Sequence, residues 1–477
     1  MPEKSDYICD PLRASSMGIY VNSIIKIFFF CVLILFLSPF SVSASDSQEI
    51  LKQSIIAWNL EQHKKSLSDN SYKGEEGVLR LRPDVARSFG LKLPEYEDYE
   101  AAVRIFEDAE EILDRIIKEI SSDRRTQLSR EEIGEIGKLA LSHNHAVEKA
   151  RALLASYRSG IKKASDDRLD RPNCLKLMEV LIEESMKACS YNLRDGLASF
   201  YNRCQGMNDS DGPLNTRNVR FVNHIFNEFT ERASGQDLKL FDMERGGEAN
   251  GLHGKDDWQR ALGRNESRYA DFLNDILGSD DKGHYPVDPL LFMALMRRES
   301  NFDSKAVSYV GAAGLTQIMP MTGKGLGMKH IFMPDYFNEA QTSFSKERRL
   351  RKKAVNLILG ITDKNKESHA TLARKYMLDS LEFAGTRRNL FHRYKKELLK
   401  DGTDDRLDPR KAIDFGFRYF SRMMRIQDGD ISLALASYNA GPKRVAQYEG
   451  IPPYKETITF RNRVLRYYRD YLHSLSR

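Results

Sequence analysis

The chain has 477 residues, 41% of them hydrophobic and 30% charged. That is enough apolar mass for two or three ordinary domains and too much for a disordered polymer. A net charge of +6 and a pI near 8.8, spread over this length, single out no anionic partner and give no ground for nucleic-acid binding.

At the N-terminus, residues 27–37 read IFFFCVLILFL behind Lys26 and ahead of Pro39 and the small-residue stretch SVSAS. This is the layout of a secretory signal, with a cut expected after Ala44, so 1–44 is set aside as signal peptide. The run falls short of the roughly 20 residues of a spanning helix, which favours cleavage over the alternative, an uncleaved membrane anchor. Met17 would begin a more usual signal than Met1. Cys31 lacks the preceding small residue of a lipoprotein cut, so no lipid anchor is expected. In the exported part only Cys174, Cys189 and Cys204 remain, which allows at most one internal disulfide and equally suits three buried thiols. No cysteine or histidine spacing suits zinc; no metal site and no cofactor are expected.

From 45 to 284 the pattern is helical. Residues 96–120 place Ala102, Ile105, Phe106, Ala109, Ile112, Leu113, Ile116, Ile117 and Ile120 at three-and-four spacing, one apolar face that needs a partner. The next segment opens with Ser129 and Glu132 as a capping box and is long enough to pair with the first as an antiparallel hairpin. His143 and His145, two apart, cannot share a helix face and are read as solvent or core residues. Polar stretches at 207–215 and 243–257 break the pattern, with an amphipathic helix at 218–233 between them. No internal repeat is detected.

Residues 286–300, PVDPLLFMALMRRES, predict a buried helix with proline in its first turn. Glu299 follows Leu295 and Met296 by four and three residues and so lies on their apolar face, while Arg297 and Arg298 are turned away. A carboxyl against apolar neighbours resists ionisation and can serve as a general acid near neutral pH. Downstream stand Ser308, the segment VGAAGLTQIMP at 310–320 and ALASYNAGPKRV at 434–445. Gly311 and Gly314 would let backbone approach a ligand closely, and Gln317, Tyr438 and Asn439 offer neutral donors and acceptors for sugar hydroxyls.

In this order Glu299-Ser300, Ser308, Gly314-Leu315-Thr316-Gln317, Ser437-Tyr438-Asn439-Ala440-Gly441 and Glu456-Thr457 resemble the catalytic domain of the soluble lytic transglycosylase family, which shares its fold with goose-type lysozyme. The likeness covers about 285–330 and 407–472. It implies an all-α chain: a helical N-terminal domain of unknown role at 45–284, then a lysozyme-like domain at 285–477 with a helical insertion at about 331–406. It also implies peptidoglycan glycan strands as partner, action in the periplasm of a Gram-negative bacterium, with attachment to the inner membrane through the N-terminal segment as the alternative, and cleavage of the β-1,4 bond between N-acetylmuramic acid and N-acetylglucosamine. Glu299 would act as acid and then base, forming 1,6-anhydromuramoyl ends; Ser308, Gln317, Tyr438, Asn439 and Glu456 would bind substrate.

Two departures stand out. Thr316 replaces the family's usual Met, which lies under the sugar, so a differently shaped subsite is expected. Phe460 replaces a Tyr, leaving Tyr438, ahead of Tyr467 or Tyr468, as the hydroxyl expected to touch Glu299. The insertion carries the basic stretches SKERRLRKKAVNLILG and RRNLFHRYKKELLKDG, read as extra helices over or beside the cleft, solvated or facing the carboxylates of peptide stems. Two rivals remain. One is a goose-type hydrolase with a second carboxylate roughly 6.5 to 9.5 Å away, for which Asp303 is the nearest candidate in sequence. The other is a non-catalytic glycan-binding scaffold.

Overall fold

The computed structural model describes residues 44–122, 128–190, 192–208, 212–233, 257–278 and 284–475; the apolar run at 27–37 and nearly all of 243–257 lie outside them. Among the described residues the chain is all-α, with isolated bridges but no strand. None of the described helices is long and apolar enough to cross a membrane.

The first half contains α1 (Ala44–Ser68), α2 (Pro83–Ser88), α3 (Glu97–Ile120), α4 (Arg130–Gly160), α5 (Arg171–Ala188), α6 (Leu193–Cys204) and α7 (Val219–Arg232). Helices α3 and α4 form the expected antiparallel hairpin, and α3 buries Ala102, Ala109, Ile116 and Ile120 of its stripe. Ser129 caps α4 as predicted: its Oγ accepts from the Glu132 N–H at 3.1 Å, and the Glu132 carboxylate accepts from the Ser129 N–H at 2.8 Å. His143 is a core residue. Cys174 and Cys204 are buried free thiols.

The second half begins with a 3-10 turn at Asp257–Ala261, α8 (Arg264–Ser267) and α9 (Ala270–Gly278). Then come α10 (Pro289–Ser300), α11 (Pro320–Leu326), α12 (Tyr336–Leu359), α13 (Lys366–Asp401), α14 (Pro409–Ile426), α15 (Ile431–Ala440), α16 (Pro442–Gln447) and α17 (Lys455–Leu475). Helix α10 is the buried axis. Residues 290–296 are all inaccessible and pack against Phe417 and Phe420 of α14, Leu435 of α15 and Val464 of α17. A helix apolar all round can only sit inside a bundle. Asp288 caps it, accepting from the Leu290 N–H at 2.7 Å. Trp258, Tyr269 and Leu273 join the same core, so this unit also takes in chain that precedes residue 285.

The two halves repeat one design, which corrects the reading of a sequence without internal repeats. Ser-Tyr-x-Gly-x-x-Gly occurs at 71–77 and at 308–314, Asp-Asp-Arg-Leu-Asp at 166–170 and at 404–408, and Leu-Ala-Ser-Phe at 197–200 answers Leu-Ala-Ser-Tyr at 435–438. The geometry matches bond for bond. Arg168 gives Nε and Nη2 to the Asp166 carboxylate (3.0 and 2.6 Å), Nη2 to the Tyr157 hydroxyl (2.7 Å), and Nη1 to the carbonyls of Gly74 and Leu81 (3.2 and 3.0 Å). Arg406 does the same with Asp404 (2.9 and 2.7 Å), Tyr394 (2.7 Å), Gly311 (3.1 Å) and Ile318 (3.3 Å). Both guanidinium groups are buried beside their carboxylates, a costly arrangement that holds only because all five N–H donors are satisfied. Each cage clamps a glycine turn before a short proline-led helix, a helical hairpin follows, and the elements pair as α1 with α10, α2 with α11, the α3–α4 hairpin with α12–α13, α5 with α14, α6 with α15 and α7 with α17.

The halves meet on two surfaces. The hairpins dock end to end through Ile116, Ile120, Ile136 and Ala140 against Ala354, Ile358, Ala370, Ala373 and Met377, with Arg374 Nη1 donating to the carbonyls of Ile120 (2.7 Å) and Ser122 (2.8 Å). At the second surface Ala436, Val445, Ile451 and Ile458 of the second half belong to the apolar core of the first.

Candidate active site

Helix α10 stops at Ser300, and Asn301 and the buried Phe302 both take left-handed backbone, φ 50° and 63°. For a ring-bearing residue that conformation costs about 1–3 kcal/mol. It is held by stacking on Tyr269 at 6.2 Å and by a hydrogen bond from the Phe302 N–H to Ser300 Oγ at 3.1 Å. The stop leaves Glu299 on the last turn, half-buried beside the inaccessible Met296.

Loss of water around Glu299 pushes its carboxyl from the ordinary 4.5 up to about 8; the positive charge of Arg298 pulls the other way and the Glu456 carboxylate adds to the rise. Arg297 is turned away as expected, lying 4.4 Å above the Tyr467 ring. Arg298 is not a bystander: it sits over Phe460 at 5.6 Å and its charge reaches Glu299. Asp303 is exposed and accepts from the Lys305 N–H at 2.9 Å, a local turn bond. The carboxylate that Glu299 senses is therefore Glu456, at the start of α17.

Tyr438 lies in the core with its ring parallel to Phe460 (centroids 6.4 Å, planes 3° apart). Its hydroxyl donates to the Thr316 carbonyl at 2.8 Å. Burial first, and then the Glu299 charge, hold that hydroxyl well above the ordinary tyrosine range. Tyr467 packs on Arg297 and the Tyr468 hydroxyl bonds Asp288 at 3.0 Å, so both are engaged elsewhere. Thr316, which stands where the family has Met, is fully buried, donates to the Ala412 carbonyl at 2.9 Å and fills the space left by Gly416. A threonine carries its own hydroxyl into the core, so it faces inward where a partner carbonyl waits.

The loop residues divide between framework and cleft. Ser308 Oγ accepts from the N–H groups of Ala312 (2.9 Å) and Val310 (3.3 Å). Gln317, at φ 48°, gives both hydrogens of its amide to the carbonyls of Gly314 (2.9 Å) and Ala306 (3.0 Å), which leaves its oxygen to accept. The glycines do not open the loop to ligand. A Cβ on Gly314 would stand 1.7 Å from the Arg406 carbonyl oxygen, and one on Gly311 2.4 Å from the Phe337 ring; both have positive φ, so both serve the cage. Asn439 accepts from the Thr457 hydroxyl at 2.7 Å, which orients its amide hydrogens away from that bond. The Asp404–Arg406 cage is a contributor that the sequence reading passed over, and Thr457, quoted there only as part of the Glu456-Thr457 motif, holds Asn439. The Asp-Asp-Arg-Leu-Asp string shared by both halves was the available signal.

The model of the transglycosylase SLT domain family matches residues 279–346 and 386–460. The gap between the two stretches falls inside the α12–α13 hairpin. The second half of the chain is thus an SLT domain, and by it the protein is a lytic transglycosylase, a lyase acting on peptidoglycan. Among solved structures, an inactive mutant of the lytic transglycosylase Slt from Pseudomonas aeruginosa aligns at 14% identity, over 97% of this chain and 76% of that one, with a TM-score of 0.23. So loose a superposition supports no statement about fold or site.

Proposed function

We propose that the enzyme cuts the β-1,4 bond between N-acetylmuramic acid and N-acetylglucosamine and leaves 1,6-anhydromuramoyl ends, with Glu299 as the single acid/base. The observation that carries this reading is the place of the Glu299 carboxyl on the last turn of α10, beside the inaccessible Met296, where loss of water pushes it up to about 8 and so favours the protonated form at neutral pH. Such a group can give its proton to the leaving glycosidic oxygen. As the carboxylate it then takes the proton of the muramoyl 6-hydroxyl, whose attack on its own anomeric carbon profits from the high effective concentration of an intramolecular nucleophile. No water needs activation, which fits the exposed, locally bonded Asp303.

The roles assigned here are positional. Ser308 and the Gln317 oxygen face the glycan from the loop, Asn439 donates from the end of α15, and Tyr438 supports Glu299 from beneath. Glu456 binds substrate while its charge helps to keep Glu299 protonated. We place the catalytic unit at about 257–475, with the first half as a separate unit, and infer export to the periplasm by a cleaved signal, with peptidoglycan strands as partner.

A hydrolase reading keeps one foothold, the Glu456 carboxylate near Glu299. Mass spectrometry of muropeptides from digested sacculi separates the two: 1,6-anhydro ends support the transglycosylase, whereas reducing ends would sink it.

A further inference from the structure

The first half of the chain has the frame of the catalytic unit but not its chemistry. Counting back from Ser71 as from Ser308, Gln62 stands where Glu299 does, and α1 runs on to Ser68 instead of stopping at that turn. Phe200 stands at Tyr438 and Tyr201 at Asn439. Tyr309 is 60% exposed, but its counterpart Tyr72 is buried and donates to the Glu76 carboxylate at 2.5 Å, with His63 Nε2 4.0 Å from the same group. The groups that would face a glycan are turned on each other.

What this half does instead is hold the active-site helices by their supports. Arg194 of α6 pairs at 2.7 Å with Asp430, and Asp430 caps α15 by accepting from the Leu433 N–H at 2.9 Å. Its neighbour Asp195 forms a buried ion pair with Arg461 of α17, and Arg461 Nε also reaches Ser432 Oγ of α15 at 2.8 Å. Asn223 of α7 donates to the Ile451 carbonyl at 3.0 Å and accepts from the Ile451 N–H at 3.1 Å, and Asn227 donates to the Glu449 carbonyl at 2.8 Å. These bonds converge on three elements: α15, which ends in Tyr438 and Asn439; the turn before α17; and α17, which begins with Lys455, Glu456 and Thr457.

We propose that residues 44–233 are a duplicated, acid-less copy of the catalytic scaffold that acts as a brace, with Arg194, Asp195 and Asn223 as positioning residues for Tyr438, Asn439 and Glu456. The duplication explains the fit, because the helix that ends in the cleft of one copy, α15, meets its own counterpart, α6. The second contact, hairpin on hairpin, keeps the copies aligned and gives the α12–α13 insertion its partner. Buried ion pairs spanning two units fix geometry more than they add stability, since both charges lose their water on docking.

This inference rests on the catalytic reading above, and two measurements on the full chain keep the failures apart. Hydrogen exchange of 430–441 and 455–461, compared between wild type and the variants Asp195→Asn and Asn223→Ala, reads the brace whatever Glu299 does; faster exchange there, with α10 unchanged, is expected. In the same folded variants kcat should fall tenfold or more with KM within about threefold. The alkaline limb of the pH profile should move to lower pH as water reaches Glu299, and Asp195→Glu should recover part of the loss. Unchanged exchange at both segments, or a loss of rate with the alkaline limb in place, would overturn the brace. Cleavage that persists in Glu299→Gln and disappears on adding Gln62→Ala would overturn the acid-less assignment.

Discussion

Replacing Glu299 by Gln is expected to abolish lysis and, at neutral and alkaline pH, to stabilise the fold. The wild-type carboxyl is held at about 8 in the native state against 4.5 for the free group. Because the folded value is raised, the native state holds a proton that the unfolded chain has released. The associated stability is complete below about pH 4.5 and is lost as pH rises toward 8. At about 1.36 kcal/mol per pH unit the loss reaches roughly 3 kcal/mol at pH 7 and about 5 kcal/mol above pH 8. Glutamine does not titrate, so its own cost of burial is constant. Denaturant unfolding of both proteins at pH 4.5, 6, 7 and 8 should therefore show the variant gaining on wild type with rising pH and levelling off above 8. A difference in stability that does not depend on pH would refute the desolvated acid. Turnover should fall by a factor of about 10² to 10⁴, and wild-type kcat/KM should decline above pH 8 as the acid ionises.

Asp303→Asn is expected to leave kcat within about twofold and the anhydro product unchanged, as measured by muropeptide release, because Asp303 serves a turn. Asp404→Asn strands the Arg406 guanidinium in the core and should cost about 3–5 kcal/mol in unfolding experiments. Gly314→Ala, with its new methyl group inside the Arg406 carbonyl, should give no folded catalytic unit by circular dichroism. Tyr438→Phe removes the bond to the Thr316 carbonyl and should cost about 1–3 kcal/mol of stability.

Much of the site could be read along the chain. The three-and-four spacing of α3, the Ser129 box and the apolar run of α10 depend on contacts within a few residues, and they came out as expected. The placement of Glu299 on the apolar face of α10 followed from the same periodicity. Local pattern misled where a residue could serve either ligand or frame. Gly311 and Gly314 look like a ligand-binding loop, but in space the Gly311 carbonyl accepts from a guanidinium that arrives from residue 406, Gly314 abuts the Arg406 carbonyl, and Thr316 turns toward a carbonyl at 412. The repeat escaped notice because its identity survives only in short strings around the cage, where every donor has a partner that cannot be exchanged. In the helices between them any apolar residue of suitable size fills the same place.

The sequence by itself determined the helices, the place of Glu299 on the apolar face of α10 and the class of enzyme, since these rest on short-range periodicity and on a motif order that needs no coordinates. Only the tertiary structure decided which carboxylate Glu299 feels, which polar side chains are spent on the frame, and that the two halves are copies locked together. Those outcomes depend on burial and on bonds between residues far apart in the chain, such as Asp195 with Arg461 and Asn223 with Ile451, whose cost or benefit exists only once water has been excluded between them.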